Sequence, residues 1–470
     1  MTRRVLETEQ KALEINLDEP IYGAFAEIGA GQEVARYFFH VGAAAGTIAK
    51  SMSAYDKTVS DDIYGPEQLG KGRYVCESRL YKMLDHEYHL MEHRLRNERP
   101  GHTFFAFADT VAAINYTKTI KGDGWLGLRF QLRPDSPPND LVVHVRLLDQ
   151  DNRLQQQAIG ILGVNMVYAC YRYFNDPETL VTSLLDNLRG RASIDMVRLN
   201  GPDFPDMDNR LVCLWMVKNG LSPVAIFGPD GNSLHAGEFL YRHSILVARG
   251  SYRPPTLVQQ DMIRHAYDQF LAEPEIDRSK AYFLTEITLE NLKNGTDTVD
   301  EKDFIDRATL LCALGQTVII SDCVEHKKLI KYLSDYKVPR IGMVMGARKL
   351  EIIVRETSEK HADNLLAAFG ELFPRNVRFY IFPAQHEKSG EIITARKVNV
   401  PYAIHSLFDY LLENNNIVDI KEYDPGVLNI YHKSVLKDIQ EGRSGWEKLV
   451  PPQVAEMIQE LGLFKNPPLS

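Results

Sequence analysis

Residues 243 to 271 read HSILVARGSYRPPTLVQQDMIRHAYDQFL. The run Ile245 to Ala248 is short and rich in β-branched residues, which fits a buried strand better than a helix. From Leu257 to Leu271 the spacing changes to that of a helix, with Val258, Met262, Ala266 and Phe270 on one face. A strand apolar on both faces, followed at once by an amphipathic helix, is the repeating unit of a parallel sheet with right-handed crossovers. The same rhythm recurs at Ile194 to Leu199, Val224 to Phe227, Tyr282 to Ile287, Thr317 to Ser321, Ile341 to Val344 and Val377 to Phe382. Between them Glu301 to Leu314 reads as a helix, with Asp300 as its cap and Phe304, Ala308, Leu311 and Cys312 facing inward. A mostly parallel β/α domain is therefore expected over 191–385, as a doubly wound sheet or an irregular β/α barrel.

Upstream, residues 1–190 mix element types and predict an α+β domain. Ala24 to Ile28 fits a strand or a helix start, and Gln32 to Phe39 is helical. Leu80, Leu84, Tyr88, Met91 and Leu95 mark an amphipathic helix that packs on a sheet. The runs His102 to Ala108, Leu126 to Leu132 and Leu141 to Leu148 are strand-like. Pro134, Pro137 and Pro138 separate the last two into a hairpin with a wide loop. Leu154 to Tyr173 reads as a buried helix. Downstream, 386–470 contributes one helix, Ala403 to Glu413, and an irregular extension. The class is α/β, with no internal repeat.

Composition narrows the partners. The chain has 470 residues, 44% hydrophobic and 25% charged, as in ordinary globular proteins. Lys+Arg 54 against Asp+Glu 63 gives a net charge of −9, so no global positive field draws it to nucleic acid or anionic lipid. The first twenty residues lack the apolar core of a secretory signal, and Ala158 to Tyr171 is too short to span a bilayer. A cytoplasmic protein with no membrane partner is expected. The five cysteines include no C-x-x-C pair, which disfavours a disulfide framework or zinc ribbon.

In α/β sheets ligands gather beyond the carboxyl ends of strands, which directs attention to the residues following each run. Arg249, Ser251 and Arg253, with Gly250 as a turn and Pro254 and Pro255 stiffening the exit, form the leading candidate clamp for a carboxylate or phosphate. Asp203, Asp230 and Asp322, each after a candidate strand, are candidate general bases or Mg²⁺ contacts. Glu27-Ile-Gly-Ala-Gly31 resembles the acidic-x-Gly-x-Gly turn of nucleotide sites, so Gly29 and Gly31 are candidate cofactor glycines. Gln32, Glu33 and Val34 stand where a third glycine would complete that fingerprint. Lys50, Ser51 and Ser53 are further candidates to face an anion. His89-Leu-Met-Glu92-His93 matches H-x-x-E-H of zinc peptidases. Its histidines, however, lie about 140° and 180° around the helix from Leu84 at 100° per residue, on the solvent side. No metal ligand is assigned.

The runs IYGAFAEIGAGQEVARYFF, GTIAKSMSAYDK, GWLGLRF, IGILGVN, DNRLVCLWMVKNG, ARGSYRPPT and LCALGQTVIIS together resemble a family of bacterial proteins of this length, over most of the chain. Its members carry two conflicting labels, nicotinate-nucleotide adenylyltransferase and TonB-dependent receptor. The H-x-G-H or T-x-G-H turn of the first is not found among the 14 histidines. The second conflicts with the missing signal segment and membrane-barrel strands. The resemblance implies a bacterial, cytosolic protein and transfers no catalytic residue. The leading expectation is an enzyme or binding protein for a small anionic metabolite, phosphorylated or nucleotide-like, with its cofactor left open. The alternatives are an assembly protein, a nucleotidyltransferase and a zinc peptidase.

Overall fold

The computed structural model describes residues 3–67, 74–119, 121–293, 297–386 and 389–465. The chain divides into two compact units, Met1–Ser222 and Pro223–Ser470.

Unit 1 contains α1 (Thr8–Asn16), β1 (Ile21–Gly29), α2 (Glu33–His40), β2 (Ile48–Ser53), α3 (Lys57–Tyr64), α4 (Glu77–Leu95), β3 (Thr103–Ala112), β4 (Asp123–Phe130), β5 (Asn139–Leu147), α5 (Asn152–Arg172), α6 (Pro177–Thr182), β6 (Ala192–Asn200) and α7 (Asn209–Lys218). Its six strands form one sheet in the order β2-β1-β3-β4-β5-β6. The strands β2, β1 and β3 are mutually parallel, whereas β3 to β6 are antiparallel. The expected hairpin is β4 and β5, with Leu126 opposite Val143. Ala24 to Ile28 resolves as strand. On one face Phe25, Phe105 and Phe107 cluster beneath α2 and α5, with Phe38 of α2 against Phe25. On the other, Leu80, Met83 and Leu84 of α4 pack on Trp125, Val142 and Met196. The sheet is thus covered on both sides, which is why its strands carry so little polar alternation.

Unit 2 contains β7 (Val224–Phe227), β8 (Ser233–Leu234), α8 (Ala236–Leu240), β9 (Ser244–Arg249), α9 (Leu257–Leu271), β10 (Ala281–Thr288), α10 (Leu289–Leu292), α11 (Glu301–Ala313), β11 (Thr317–Ser321), α12 (His326–Ser334), β12 (Ile341–Gly346), α13 (Ala347–Lys360), α14 (Leu365–Leu372), β13 (Val377–Phe382), β14 (Ala384–Gln385), β15 (Ile392–Ile393), α15 (His405–Glu413), β16 (Ile417–Asp419), α16 (His432–Gln440) and α17 (Pro452–Leu461). Its main sheet has eight strands in the order β16-β13-β12-β9-β10-β11-β7-β8. Six of these, β16 through β11, are parallel. Counting from β9, they follow the doubly wound order 3-2-1-4-5-6, an open sheet rather than a barrel. Val247, Leu284, Ile319 and Met343 pack beneath α12 and α13, while Leu246 and Ala248 pack on Ala266 and Phe270 of α9.

Two expectations are corrected. Ile194 to Leu199, grouped above with the later parallel strands, is β6 of unit 1 and runs antiparallel to β5, with Leu141 opposite Leu199. Val224 to Phe227 joins the second sheet but runs antiparallel to β11, with Ile226 opposite Ile319. An apolar run shows that a strand is buried and does not show which way its neighbours run. The extension also returns to the sheet, through β16, whose three residues are too few to show a period. No described helix is long and apolar enough to cross a membrane.

Candidate functional site

The strand order of unit 2 reverses at β9. The chain leaves β9 for β10 and β11 on one side, then crosses back to β12 on the other. A doubly wound sheet opens a crevice at such a reversal, outside the carboxyl ends of the central strands. Arg249 closes β9 at this edge. Its ladder neighbour Glu286 lies on β10 and is fully buried. Arg249 donates Nε and Nη2 to the Glu286 carboxylate at 2.7 and 2.9 Å, and Ser321 Oγ at the end of β11 donates to it at 2.6 Å. Nη1 of Arg249 donates to the carbonyl of Val324 at 2.7 Å. The guanidinium is therefore held by a bidentate ion pair and fixes the loop that leads into α12.

Immediately beside that loop lies a crevice of about 320 Å³, lined by Val324, His326, Lys327, Lys328, Lys349 and Lys360 among others. Lys328 belongs to the first turn of α12, whose amino end borders the space, and Lys349 lines it with Ile353, Glu356 and Lys360 along the flank of α13. Lys327 pairs with Glu371 at 2.9 Å, and Lys360 with Glu356 at 3.2 Å. Lys328 and Lys349 are exposed, and neither amine has an ion-pair partner among the described residues. His326 is buried. Burial, then the positive charges of Arg249 and Lys349, hold its imidazole well below the ordinary value of 6.5, so it is neutral at pH 7. Cys323, buried nearby, has its thiol pushed up to about 11 by burial and is no nucleophile at neutral pH. A larger cavity of about 470 Å³ beside α9 has committed polar groups: Thr256 and Gln259 form the capping box of that helix, and Asp261 accepts from the Asp424 amide at 2.8 Å.

The other candidates are distributed as follows. Arg253 follows Arg249 in the same loop but binds a different carboxylate, with Nε 2.5 Å from Asp303 of α11. Arg307 also pairs with Asp303 and donates to the Ser251 carbonyl at 2.9 Å. The Ser251 hydroxyl is buried without a hydrogen-bond partner. Asp322 is exposed just past β11, at the same edge as Arg249. Asp230 follows β7, and because β7 runs antiparallel to β11 it lies at the opposite edge of the sheet. There it accepts from Asn232 N and Nδ2 in a turn. Asp203 belongs to unit 1, where it pairs with Arg133 and accepts from Asn139 Nδ2 at 2.8 Å. Within unit 2, Asp230 and Asp322 do not converge. His89 and His93 are exposed on α4, with His89 Nδ1 2.8 Å from the Asp85 carbonyl.

Unit 1 has a reversal of its own. From β1 the chain passes to β2 on one side and then to β3 on the other. At the carboxyl ends of these parallel strands Ser53, Glu27 and Asp109 are ladder partners in one row. Asp109 is fully buried, and neither carboxyl oxygen has a hydrogen-bond partner among the described residues. Burial, then the neighbouring Glu27, pushes its carboxyl well above the usual range. Burial also pushes Glu27 up to about 7, with Ser53 pulling the other way. Gly29, at φ +97°, lies so near β3 that a Cβ would sit 2.1 Å from the Val111 carbonyl oxygen. A Cβ on Gly31 would stand 2.0 and 2.1 Å from the two Asp109 oxygens. Both glycines are thus required by close approach to β3.

Sequence reasoning missed Lys328, Lys349, Glu286 and Asp109. A signal existed for the first two: a lysine in the opening turn of a helix opposes the helix dipole, a placement that an anion would offset.

No protein-family model matches the sequence, and no curated protein matches it. The labels of the resembling family thus gain no support. Solved structures with some likeness include the competence/damage inducible protein CihA from Agrobacterium tumefaciens, at 16% identity over 36% of this chain and 98% of that one, TM-score 0.26. A competence or damage-inducible protein from Enterobacter asburiae matches at 11% identity over 36% of this chain and 99% of that one, TM-score 0.25. A competence-damaged (CinA) superfamily protein from Escherichia coli matches at 13% over 33% and 81%, TM-score 0.22. Likeness at these scores carries no argument about this chain.

Proposed function

We propose that the chain binds a small anionic metabolite, phosphorylated or carboxylated, in the basic crevice of unit 2. One observation carries this reading: Lys328 and Lys349, without carboxylate partners among the described residues, line one crevice with the amino end of α12, in the sheet whose strand order reverses at β9. Amide groups at helix amino ends and unpaired ammoniums together favour a compact anion. Arg249 acts beneath the site as a positioning residue, since it fixes the Val324 carbonyl at the crevice wall. Asp322 is the one expected acid at that edge, while the carboxylates that line the crevice itself are Glu325 and Glu356.

The test is a thermal-shift and calorimetric screen over inorganic phosphate, sugar phosphates and nucleoside phosphates, on the wild type and on Lys328→Ala with Lys349→Ala. A ligand at 100 Kd raises stability by about 2.7 kcal/mol. The expected result is a shift with one phosphorylated class that weakens with salt and falls at least tenfold in affinity in the double variant. Equal binding by both proteins, or no response to any anion, overturns the reading.

A further inference from the structure

We infer that unit 1 holds a hard divalent cation, of the Mg²⁺ kind, between Glu27 and Asp109 at the carboxyl ends of β1 and β3. The two residues are direct ladder partners on parallel strands, so their side chains project from the same face at the strand spacing of about 4.8 Å. Ser53, the partner of Glu27 on β2, extends the row and offers a hydroxyl. The row lies where the strand order of unit 1 reverses, the position at which parallel sheets receive ligands.

Asp109 points to a guest. It is fully buried, and among the described residues neither of its oxygens has a hydrogen-bond donor. Buried carboxylates are otherwise paired, hydrogen-bonded or coordinated to metal, because leaving them bare costs several kcal/mol. Among the described residues no lysine or arginine is paired with Asp109 or Glu27, and Gln32 of the adjoining loop donates its amide to the Gly29 carbonyl at 2.6 Å instead. Protons neutralise such carboxyls one at a time, whereas a cation from outside the chain would bridge the two.

Size and chemistry select among cations. The Asp109 oxygens are closed to solvent and Gly31 lies directly against them, which leaves no room for an organic ammonium. The available donors are two carboxylates and a hydroxyl, all hard oxygen. A set of one or two carboxylates completed by waters is the usual protein contribution to Mg²⁺. No sulfur or imidazole belongs to the row, which disfavours zinc.

The experiment uses the full chain after treatment with EDTA. Mn²⁺ binding is followed by electron paramagnetic resonance, Mg²⁺ by its displacement of Mn²⁺ and by thermal shift, and the variants are Asp109→Asn and Glu27→Gln. The expected result is one Mn²⁺ per chain, displaced by Mg²⁺, with affinity reduced at least tenfold in each variant. In EDTA, Asp109→Asn should melt no lower than the wild type, since a neutral amide relieves the crowding of two carboxyls. That control separates lost binding from lost folding. The inference is overturned if the wild type binds no Mn²⁺ at millimolar concentration, or if both variants bind it as the wild type does. It is also overturned if Asp109→Asn melts markedly lower in EDTA, because the carboxyl would then serve the fold without an ion.

Discussion

In unit 1 the chain departs from β1 to β2 and returns to β3 on the other side; in unit 2 it departs from β9 and returns to β12. Both reversals put the ends of parallel strands beside a helix start, and the residues found there are opposite in kind. Unit 2 buries its acid, Glu286, under Arg249 and leaves Lys328 and Lys349 outside and uncompensated. Unit 1 buries Asp109 with nothing to balance it. Backbone topology decides where a guest can reach several strand ends at once. Which charge is left unbalanced there decides what guest is wanted.

The largest effect expected is at the balanced acid. Glu286→Ala should lower the stability of unit 2 by about 3–5 kcal/mol, the range for removing one partner of a buried ion pair, as read from denaturant unfolding. A loss below about 1 kcal/mol would show that Arg249 simply swings to solvent, and the contrast between a satisfied and an unsatisfied reversal would dissolve. Next is Gly31→Ala, which drives a methyl into the Asp109 carboxyl and should cost about 1–3 kcal/mol by overpacking. Adding Asp109→Ala should recover much of that loss, a coupling that only residues in contact display.

The pH response sharpens the contrast further. Because the folded state holds His326 neutral well below 6.5, the unfolded chain takes up the proton first as pH falls through that value. Unit 2 should therefore lose stability below about pH 6.5, read as falling hydrogen-exchange protection in β9 and β12, and His326→Gln should flatten the slope. A flat wild-type profile would mean that the imidazole reaches solvent. The smallest effect is at Gly346, which opens α13 with φ −75° and where an added methyl would meet no atom within 4 Å. Gly346→Ala should stay within about 0.5 kcal/mol of the wild type, since the entropy gained against the unfolded chain offsets a poorer helix cap.

The α/β class is legible in the sequence because its signals are local. The stretch at 243 to 271 shows strand and helix periods side by side, and the hairpin of β4 and β5 announces itself through three prolines. What stays hidden depends on partners far along the chain. β6 is as apolar as β9, yet one is antiparallel in unit 1 and the other central and parallel in unit 2. Asp230 and Asp322 look alike in sequence because both follow strands, and only the direction of β7 shows that they lie at opposite edges. The Arg249 loop does sit at a carboxyl edge, but the carboxylates that occupy Arg249 and Arg253 come from elsewhere, Glu286 of β10, 37 residues from Arg249, and Asp303 of α11. Asp109 is inconspicuous inside FFAFADTVA, where a single acid in an apolar strand is the available clue.

The grip of Arg249 on Glu286 also bears on selectivity. In dinucleotide-binding sheets of this strand order, an acidic side chain beyond the first strand accepts the hydroxyls of a ribose. Here the acid at the end of the second strand has both oxygens taken, by two arginine nitrogens and a serine. A ribose arriving there would have to evict a guanidinium that also anchors the Val324 carbonyl. Glu286, so held, presents no free oxygen to such a hydroxyl.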